Sequence, residues 1–253
     1  MGQVDFKHIV SFSGGKDSTA MLFMMIEKGM QIDEVIHFSM GDWEWDEMHK
    51  HIEKVRKELP KNLKFTVLQD EERKQSDFKK YGFASFHVRW CTGIKEQTIN
   101  KYLKKKYDEY ILYIGIASDE AERTEKKYTK KFNVKFPLID WGTTEAEALE
   151  YCYEKGFDWN KLYENKPSKR LSCWCCPLQK MDDLRYLYTT HYDKWQILRE
   201  MQRKSFQPLG TSVNSTVFYI EHKFWLEGLG TSEKIWKPKQ KQQRISLFSK
   251  ELM

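Results

Sequence analysis

The sequence predicts an α/β protein, with a doubly wound, mostly parallel sheet of five strands and an irregular, helical C-terminal extension. Three observations predict it. Short apolar runs alternate with amphipathic patterns from residue 8 to 155, and such alternation implies right-handed βαβ crossovers and a parallel sheet. The chain has 253 residues, enough to bury a substantial core. A Gly-rich turn also directly follows the first apolar run and directly precedes a helical pattern.

The predicted strands are 8–12 (His-Ile-Val-Ser-Phe), 34–39 (Glu-Val-Ile-His-Phe-Ser), 64–68 (Lys-Phe-Thr-Val-Leu) and 110–117 (Tyr-Ile-Leu-Tyr-Ile-Gly-Ile-Ala), with a fifth at 134–139 (Val-Lys-Phe-Pro-Leu-Ile). Each is a short apolar or alternating run suited to a buried sheet. Helical patterns fill the gaps at 17–29, 44–58, 94–106 and 143–155. Beyond 155 the periodicity fades through Trp159, Pro167, the basic pair Lys169-Arg170 and a cysteine cluster. It returns at 182–204, where Leu184, Leu187, Tyr188, Trp195, Leu198 and Met201 share a stripe. Residues 205–253 scatter Trp225, Trp236 and Phe248 among polar residues and read as an irregular extension.

Residues 11–18 are Ser-Phe-Ser-Gly-Gly-Lys-Asp-Ser. The missing Cβ atoms of Gly14 and Gly15 permit positive φ and let backbone amides face an anion. The following helix points its partly positive N-terminus at the same spot. Lys16 adds a point charge, and Ser11, Ser13 and Ser18 add hydroxyls. The loop follows the first strand's carboxyl end, where ligands of doubly wound sheets bind. This is a phosphate cradle, with a spacing unlike the G-x-x-x-x-G-K-[ST] or G-x-G-x-x-G loops. Asp17 has two plausible roles: capping the helix beside it, or helping to hold Mg²⁺ on phosphates.

Composition bounds the partners. Hydrophobic residues make up 40% and charged residues 32% of the chain, as in a globular protein. No apolar run approaches the ~20 residues that span a bilayer, and the N-terminus lacks a signal-peptide pattern. The expectation is a cytoplasmic protein with no membrane contact. Net charge is +6, from 43 Lys and Arg against 37 Asp and Glu, so a polyanionic partner is allowed but not required. Lysines cluster at 101, 104, 105 and 106, and at 126, 127, 130, 131 and 135. The tail carries Lys237, Lys239, Lys241 and Arg244. Such runs are ordinarily solvated faces, with nucleic-acid contact the alternative. Oligomeric state is not legible. Of five cysteines, three fall in Cys173-Trp174-Cys175-Cys176, which favours metal or redox chemistry over a secreted disulfide framework.

The string Ser-Gly-Gly-Lys-Asp-Ser resembles the pyrophosphate loop of the adenine nucleotide α-hydrolase superfamily, which cleaves ATP between its α and β phosphates. Five further segments resemble, in order, motifs of its phosphoadenosine phosphosulfate reductase-like branch. Phe38-Ser39-Met40-Gly41-Asp42-Trp43-Glu44-Trp45-Asp46-Glu47-Met48 resembles Asp-Thr-Gly-x-x-Phe-Pro-Glu, and Arg89-Trp90-Cys91-Thr92-Gly93-Ile94-Lys95 resembles Arg-Trp-Cys-Cys-x-x-x-Lys. Gly115-Ile116-Ala117-Ser118-Asp119-Glu120-Ala121-Glu122-Arg123 resembles Gly-x-Arg-x-x-Glu-Ser-x-Arg. Pro137-Leu138-Ile139-Asp140-Trp141 resembles Pro-Leu-x-x-Trp, and Cys173-Trp174-Cys175-Cys176-Pro177 resembles Cys-x-x-Cys-Pro.

The resemblance spans roughly residues 5–205 and implies the superfamily's fold. Residues 1–155 form the nucleotide-binding α/β domain, and 156–253 form a cysteine-containing, helical region packed on it. The expected nucleotide contacts are Ser11, Phe12, Ser13, Gly14, Gly15, Lys16, Asp17, Ser18, Phe38, Ser39, Met40, Gly115, Glu120 and Arg123. Ser39 and Asp42 could bond ribose hydroxyls, with main-chain groups meeting the adenine. Arg123 suits a phosphate or sulfate by forked donation. Lys16, Asp17 and Arg123 are the expected catalytic residues, with ATP and Mg²⁺ as cofactors.

The resemblance also brings Cys91 near the Cys173–Cys176 pair. Three thiolates, with Cys175 or a non-protein ligand as fourth, could hold a [4Fe–4S] cluster. A Zn²⁺ site of three or four cysteines and a bare thiol pair are the alternatives. Arg89 and Lys95 bracket Cys91, and a cation beside a thiol favours the thiolate. Cys152, between Tyr151 and Tyr153, reads as a core residue.

Two departures from the family pattern rank the activities. The family's reductases generally lack the loop lysine, because their substrate has no β-phosphate to grip. They also carry a catalytic cysteine in a C-terminal tail, and no cysteine follows Cys176. Lys16 resembles instead the loops of the sulfate adenylyltransferase small subunit and of DNA-phosphorothioating and tRNA-thiolating sulfurtransferases. The first expectation is therefore an ATP pyrophosphatase that adenylates an acceptor for sulfur transfer, with a nucleic acid as possible acceptor and a sulfur-donor or other partner protein. Reduction of adenylyl or phosphoadenylyl sulfate is the alternative. A nucleotide-binding regulatory or defence module with structural cysteines is a third reading.

Overall fold

The computed structural model describes residues 6–85, 87–125, 133–168, 170–171, 173–210 and 215–229. Strands β1 (Lys7–Phe12), β2 (Glu34–Phe38), β3 (Lys64–Leu68), β4 (Tyr110–Ile114) and β5 (Val134–Lys135) form one parallel sheet in the order β3-β2-β1-β4-β5. Val10 lies opposite Val35 on one side and Tyr113 on the other. The chain reverses direction across the sheet between β1 and β4, so the crevice at the carboxyl ends of these strands is the expected ligand position.

The helices are α1 (Lys16–Glu27), α2 (Asp46–Glu58), α3 (Glu71–Tyr81), α4 (Trp90–Lys106), α5 (Pro137–Asp140), α6 (Glu145–Glu154), α7 (Leu162–Asn165), α8 (Met181–Thr190), α9 (Tyr192–Lys204) and α10 (Val217–Leu226). Successive strand residues face opposite sides of the sheet, and β1 and β2 sort their apolar residues into two cores this way. Val10, Phe12 and Val35 join α1, α2 and α6 in the larger core. Ile9, Ile36 and Phe38 join Trp90, Ile94, Ile99 and Leu103 of α4 in the smaller one. Trp159, Trp174, Leu187, Trp195 and Phe224 belong to the larger core, so residues beyond 155 pack on the α1 face.

Several expected elements shift. The run expected as a strand over 134–139 stops at Lys135, and Pro137 opens α5 instead, as its fixed φ and missing N–H favour at a first helical turn. The helix expected over 182–204 is two helices. His191, at φ −135° and ψ 59°, ends α8 and starts α9, while the apolar stripe continues through both. Residues 217–226, expected to be irregular, are helical and bury Val217, Ile220 and Phe224 at helical spacing. Helix α3 has no counterpart among the expected elements. No helix among the described residues is long and apolar enough to cross a membrane.

Lys101, Lys104 and Lys105 of the first basic cluster are exposed on α4. Lys106, also exposed, donates to the buried Glu34 Oε2 at 2.7 Å. Residues 126, 127, 130 and 131 of the second cluster, Lys169, the basic tail, Trp236 and Phe248 lie outside the described residues.

Candidate functional site

Residues 13–15 form a tight loop between β1 and α1 at the sheet's carboxyl edge, and residues 16–18 are the first turn of α1. Gly14 has φ +81°, a region that favours glycine, and a Cβ there would come within 2.6 Å of Met48 Sδ. Gly15, expected to share that conformation, is extended (φ −78°, ψ 167°) and is the N-cap of α1, without a side-chain cap. The hydroxyls fold the loop on itself: Ser13 and Ser18 Oγ atoms lie 2.9 Å apart, and Ser18 Oγ donates to the Gly15 carbonyl at 3.0 Å. The first turn of α1 opens at this carboxyl edge with no side-chain cap from Gly15. Asp17 sits inside the first turn rather than at the N-cap, so it does not serve as the helix cap.

The loop is braced from far along the chain. Trp159 Nε1 donates to the Gly14 carbonyl at 2.8 Å, and the Lys16 amide donates to Tyr163 Oη at 3.0 Å. Trp159, Asn160 and Lys161 have φ of 48°, 49° and 63°, three consecutive left-handed residues that are costly for side chains with a Cβ. The two bonds to the Gly14–Lys16 turn, together with burial of Trp159, Leu162 and Tyr163, offset that strain. From the other side, Gly115 lets the chain after β4 touch α1: a Cβ there would lie 2.8 Å from Ser18 N and Cα. Gly115 thus acts through close backbone approach to the loop.

The charged groups converge in front of this loop. Lys16 Nζ lies 2.9 Å from Asp17 Oδ1 and 2.8 Å from Glu145 Oε1 on α6. Burial opposes the ammonium, but its bonds to Glu145 and Asp17 outweigh this and raise its pKa. Burial also raises the Asp17 carboxyl, against the pull of Lys16. Glu120 pairs with Arg123 and accepts from Arg170 at 2.8 Å. Carboxylate oxygens of Asp17, Glu120 and Glu145 lie within 4.8 Å of one another, a hard oxygen donor set of the kind Mg²⁺ takes. Glu145 carries no local sequence signal of this role; the Thr144–Glu147 capping box marks only the start of α6.

At the carboxyl end of β2 the expected contacts differ in kind. Phe12, Phe38 and Met40 are buried in the cores, so their side chains pack rather than point to a ligand. Ser11 lies within β1. Ser39, standing where the family has an acid, donates to Glu44 Oε2 at 2.8 Å, which restores a carboxylate five residues downstream. Asp42 binds the buried Lys74 of α3 at 2.7 Å, and Lys74 also holds the Met40 carbonyl at 3.0 Å. His37 Nδ1 meets the Phe12 carbonyl at 3.1 Å; its Nε2 has no hydrogen-bond partner among the described residues and lies 4.0 Å from Glu44. Burial lowers the pKa of His37.

The cysteine segment docks on this same loop. Trp174 donates its amide to the Trp43 carbonyl at 3.0 Å and its indole N–H to the Asp42 carbonyl at 2.7 Å. Cys91 lies on the first turn of α4, and Cys173 packs beside it against the smaller core. Burial pushes the Cys173 thiol up to about 12, with Cys176, Glu44 and Cys91 adding to the rise and Lys95 opposing it. Cys91, Cys173 and Cys176 therefore share one neighbourhood. Cys175 is buried in the larger core, and burial raises its pKa well above the ordinary value. Among the described residues no three cysteine sulfurs lie within 4.8 Å of one another. Cys152, buried against the Lys16 carbonyl, is the core residue expected.

Residues 7–179 match the phosphoadenosine phosphosulfate reductase domain family. An uncharacterized protein of Methanocaldococcus jannaschii, MJ1016, is 26% identical over 165 residues, 65% of this chain and 53% of that one. The chain thus spans about half the length of that curated relative. Among solved structures, the U34-tRNA thiolase NcsA from Methanococcus maripaludis with its [4Fe–4S] cluster has 17% identity and a TM-score of 0.44, covering 79% of this chain and 73% of its own. The NH3-dependent NAD synthetase from Campylobacter jejuni in complex with the nitrate ion has 10% identity and a TM-score of 0.46, over 93% and 91%. The family match runs through the phosphate loop, the charged crevice and the cysteine segment, and the protein belongs to the phosphoadenosine phosphosulfate reductase domain family.

Proposed function

We propose that the chain binds ATP with Mg²⁺ and splits it at the α-phosphate, transferring adenylate to an acceptor that then takes sulfur. The observation that carries this reading is Lys16, buried in the first turn of α1, with Asp17, Glu120 and Glu145 around it. A lysine at this point suits a nucleotide with phosphates beyond the α position, because its charge stabilises pyrophosphate as it leaves. The loop amides position the phosphates, Arg123 adds a forked donor, and the carboxylates supply oxygen ligands for Mg²⁺, which neutralises the leaving group when bound. The post-β2 loop, with Ser39 and Glu44 bonded to each other, is the proposed contact for the nucleoside.

Cys91, Cys173 and Cys176 are the proposed ligands of an iron–sulfur cluster. They bring a soft donor set into one neighbourhood. Such a cluster would supply an iron site for inorganic sulfur. Cys173 is protonated without a metal, so loading releases protons.

The reading is tested on anaerobically purified protein given ATP, Mg²⁺, sulfide and, separately, RNA, DNA and small-molecule acceptors. Pyrophosphate release that depends on an acceptor and disappears in Lys16→Ala is the expected result. Sulfite release from adenylyl sulfate with a thiol donor would establish the reductase activity instead.

A further inference from the structure

Both cations assigned to phosphate are already paired with carboxylates. Lys16 is held by Asp17 and Glu145, and Arg123 by Glu120. A triphosphate entering this crevice therefore meets three clustered carboxylates. At an effective dielectric near 20, one unneutralised carboxylate about 6 Å from a phosphate charge costs up to roughly a hundredfold in affinity.

The Lys16–Glu145 pair also differs from a permanent strut. Lys166 and Asp183, 2.9 Å apart, have side chains only 1% and 3% exposed. Glu145 is 37% exposed against 7% for Lys16, so its carboxylate is open to a new partner from solvent. Its backbone is fixed independently, since its amide donates to Asp119 Oδ1 at 3.0 Å.

We infer that Glu145 is a positioning residue that stows Lys16 away from the phosphates until a divalent cation neutralises the carboxylates. Lys16 then turns to the triphosphate, and Asp17 and Glu145 face the metal. This inference rests on the phosphate reading of the loop. Its consequence is synergy: metal and triphosphate each tighten the other's binding, because each removes the charge that opposes the other. A salt bridge that merely joins α1 to α6 would leave that synergy untouched.

The test is calorimetric titration of ATP into the full chain, in EDTA and in excess Mg²⁺, with no turnover required. In the native chain Mg²⁺ tightens ATP binding by about a hundredfold. Glu145→Gln raises metal-free ATP affinity by about tenfold and shrinks the Mg²⁺ effect by the same factor. Glu150→Gln, which removes an exposed charge from the same helix, changes neither. Equal ATP affinity with and without Mg²⁺ in the native chain overturns the inference and leaves the phosphate reading standing, whatever the variant's folding. So does a folded Glu145→Gln whose metal-free affinity is unchanged or weaker. Absence of ATP binding under both conditions overturns the phosphate reading and the inference with it.

Discussion

The indole of Trp159 donates to the carbonyl of Gly14 across 145 residues of chain, at 2.8 Å. This bond and its companion from the Lys16 amide to Tyr163 tie the phosphate loop to a segment that follows the sheet in sequence. The loop's shape is therefore set from both ends of the fold.

Removing either brace should loosen the loop. Tyr163→Phe leaves the buried Lys16 amide without its acceptor, a loss of about 1–3 kcal/mol in stability. Trp159→Phe, which removes the indole N–H, costs a similar amount and also shrinks the ring stacked on His51, whose centroid lies 4.2 Å away. Urea denaturation measures both losses, and a weaker affinity for ATP should accompany them.

Gly115→Ala should cost about 1–3 kcal/mol, because its Cβ has no room beside Ser18 and backbone must shift. Gly93→Ala is the contrasting case. A Cβ there meets only the Gln97 amide at 4.0 Å on a helix interior, so it should stabilise by about 0.5–1 kcal/mol. Opposite signs in thermal melts would establish that the closeness of β4 to α1 is structural.

Stability should fall in acid well before ordinary carboxylates titrate. Burial lowers His51 from 6.5 to about 3, so the unfolded chain takes up a proton there that the folded chain refuses. Stability is full above pH 6.5 and falls by about 1.4 kcal/mol per pH unit for this one group as the pH drops toward 3. Glu34 adds a second loss at lower pH. Burial opposes its charge, but Lys106, Thr66, Tyr107 and Tyr102 donate to it and lower it from 4.5 to about 2. Its contribution is present above 4.5 and is lost as the pH falls through 4.5 toward 2. Urea midpoints between pH 7 and 5 test the first loss, and His51→Phe should flatten that slope.

The cysteines should separate by role. Cys91→Ser, Cys173→Ser and Cys176→Ser should each lose most bound iron and acid-labile sulfide after anaerobic purification. Cys152→Ala should retain both, since its thiol is buried against the phosphate helix, away from the other four. Cys175→Ala should also retain them, at a cost in stability, because its side chain belongs to the core. Zinc at one equivalent in place of iron would contradict the cluster assignment.

Much of the fold was legible because parallel strands buried on both faces need near-continuous apolar residues, as β1 and β2 have. Helix α3 was not, because its deeply buried side chain is a lysine, Lys74, satisfied by the carbonyl and carboxylate of the loop beyond β2. The phosphate loop is local and could be read from eight consecutive residues. Glu145, Trp159 and Tyr163 reach it only through the crossovers, and no local pattern distinguishes them from other capping or core residues. The bond between Ser39 and Glu44 has no local signature, and only the fold shows it.

The central claim is that the crevice before Lys16 directs cleavage to the bond between the α and β phosphates. ATP labelled at the α-phosphate, incubated with the anaerobic protein, Mg²⁺ and its acceptor, reports that bond directly. The account predicts that all label released from ATP appears in AMP or adenylated acceptor, matched by one equivalent of pyrophosphate and abolished by Lys16→Ala. Label accumulating in ADP, with inorganic phosphate as the other product, would contradict it.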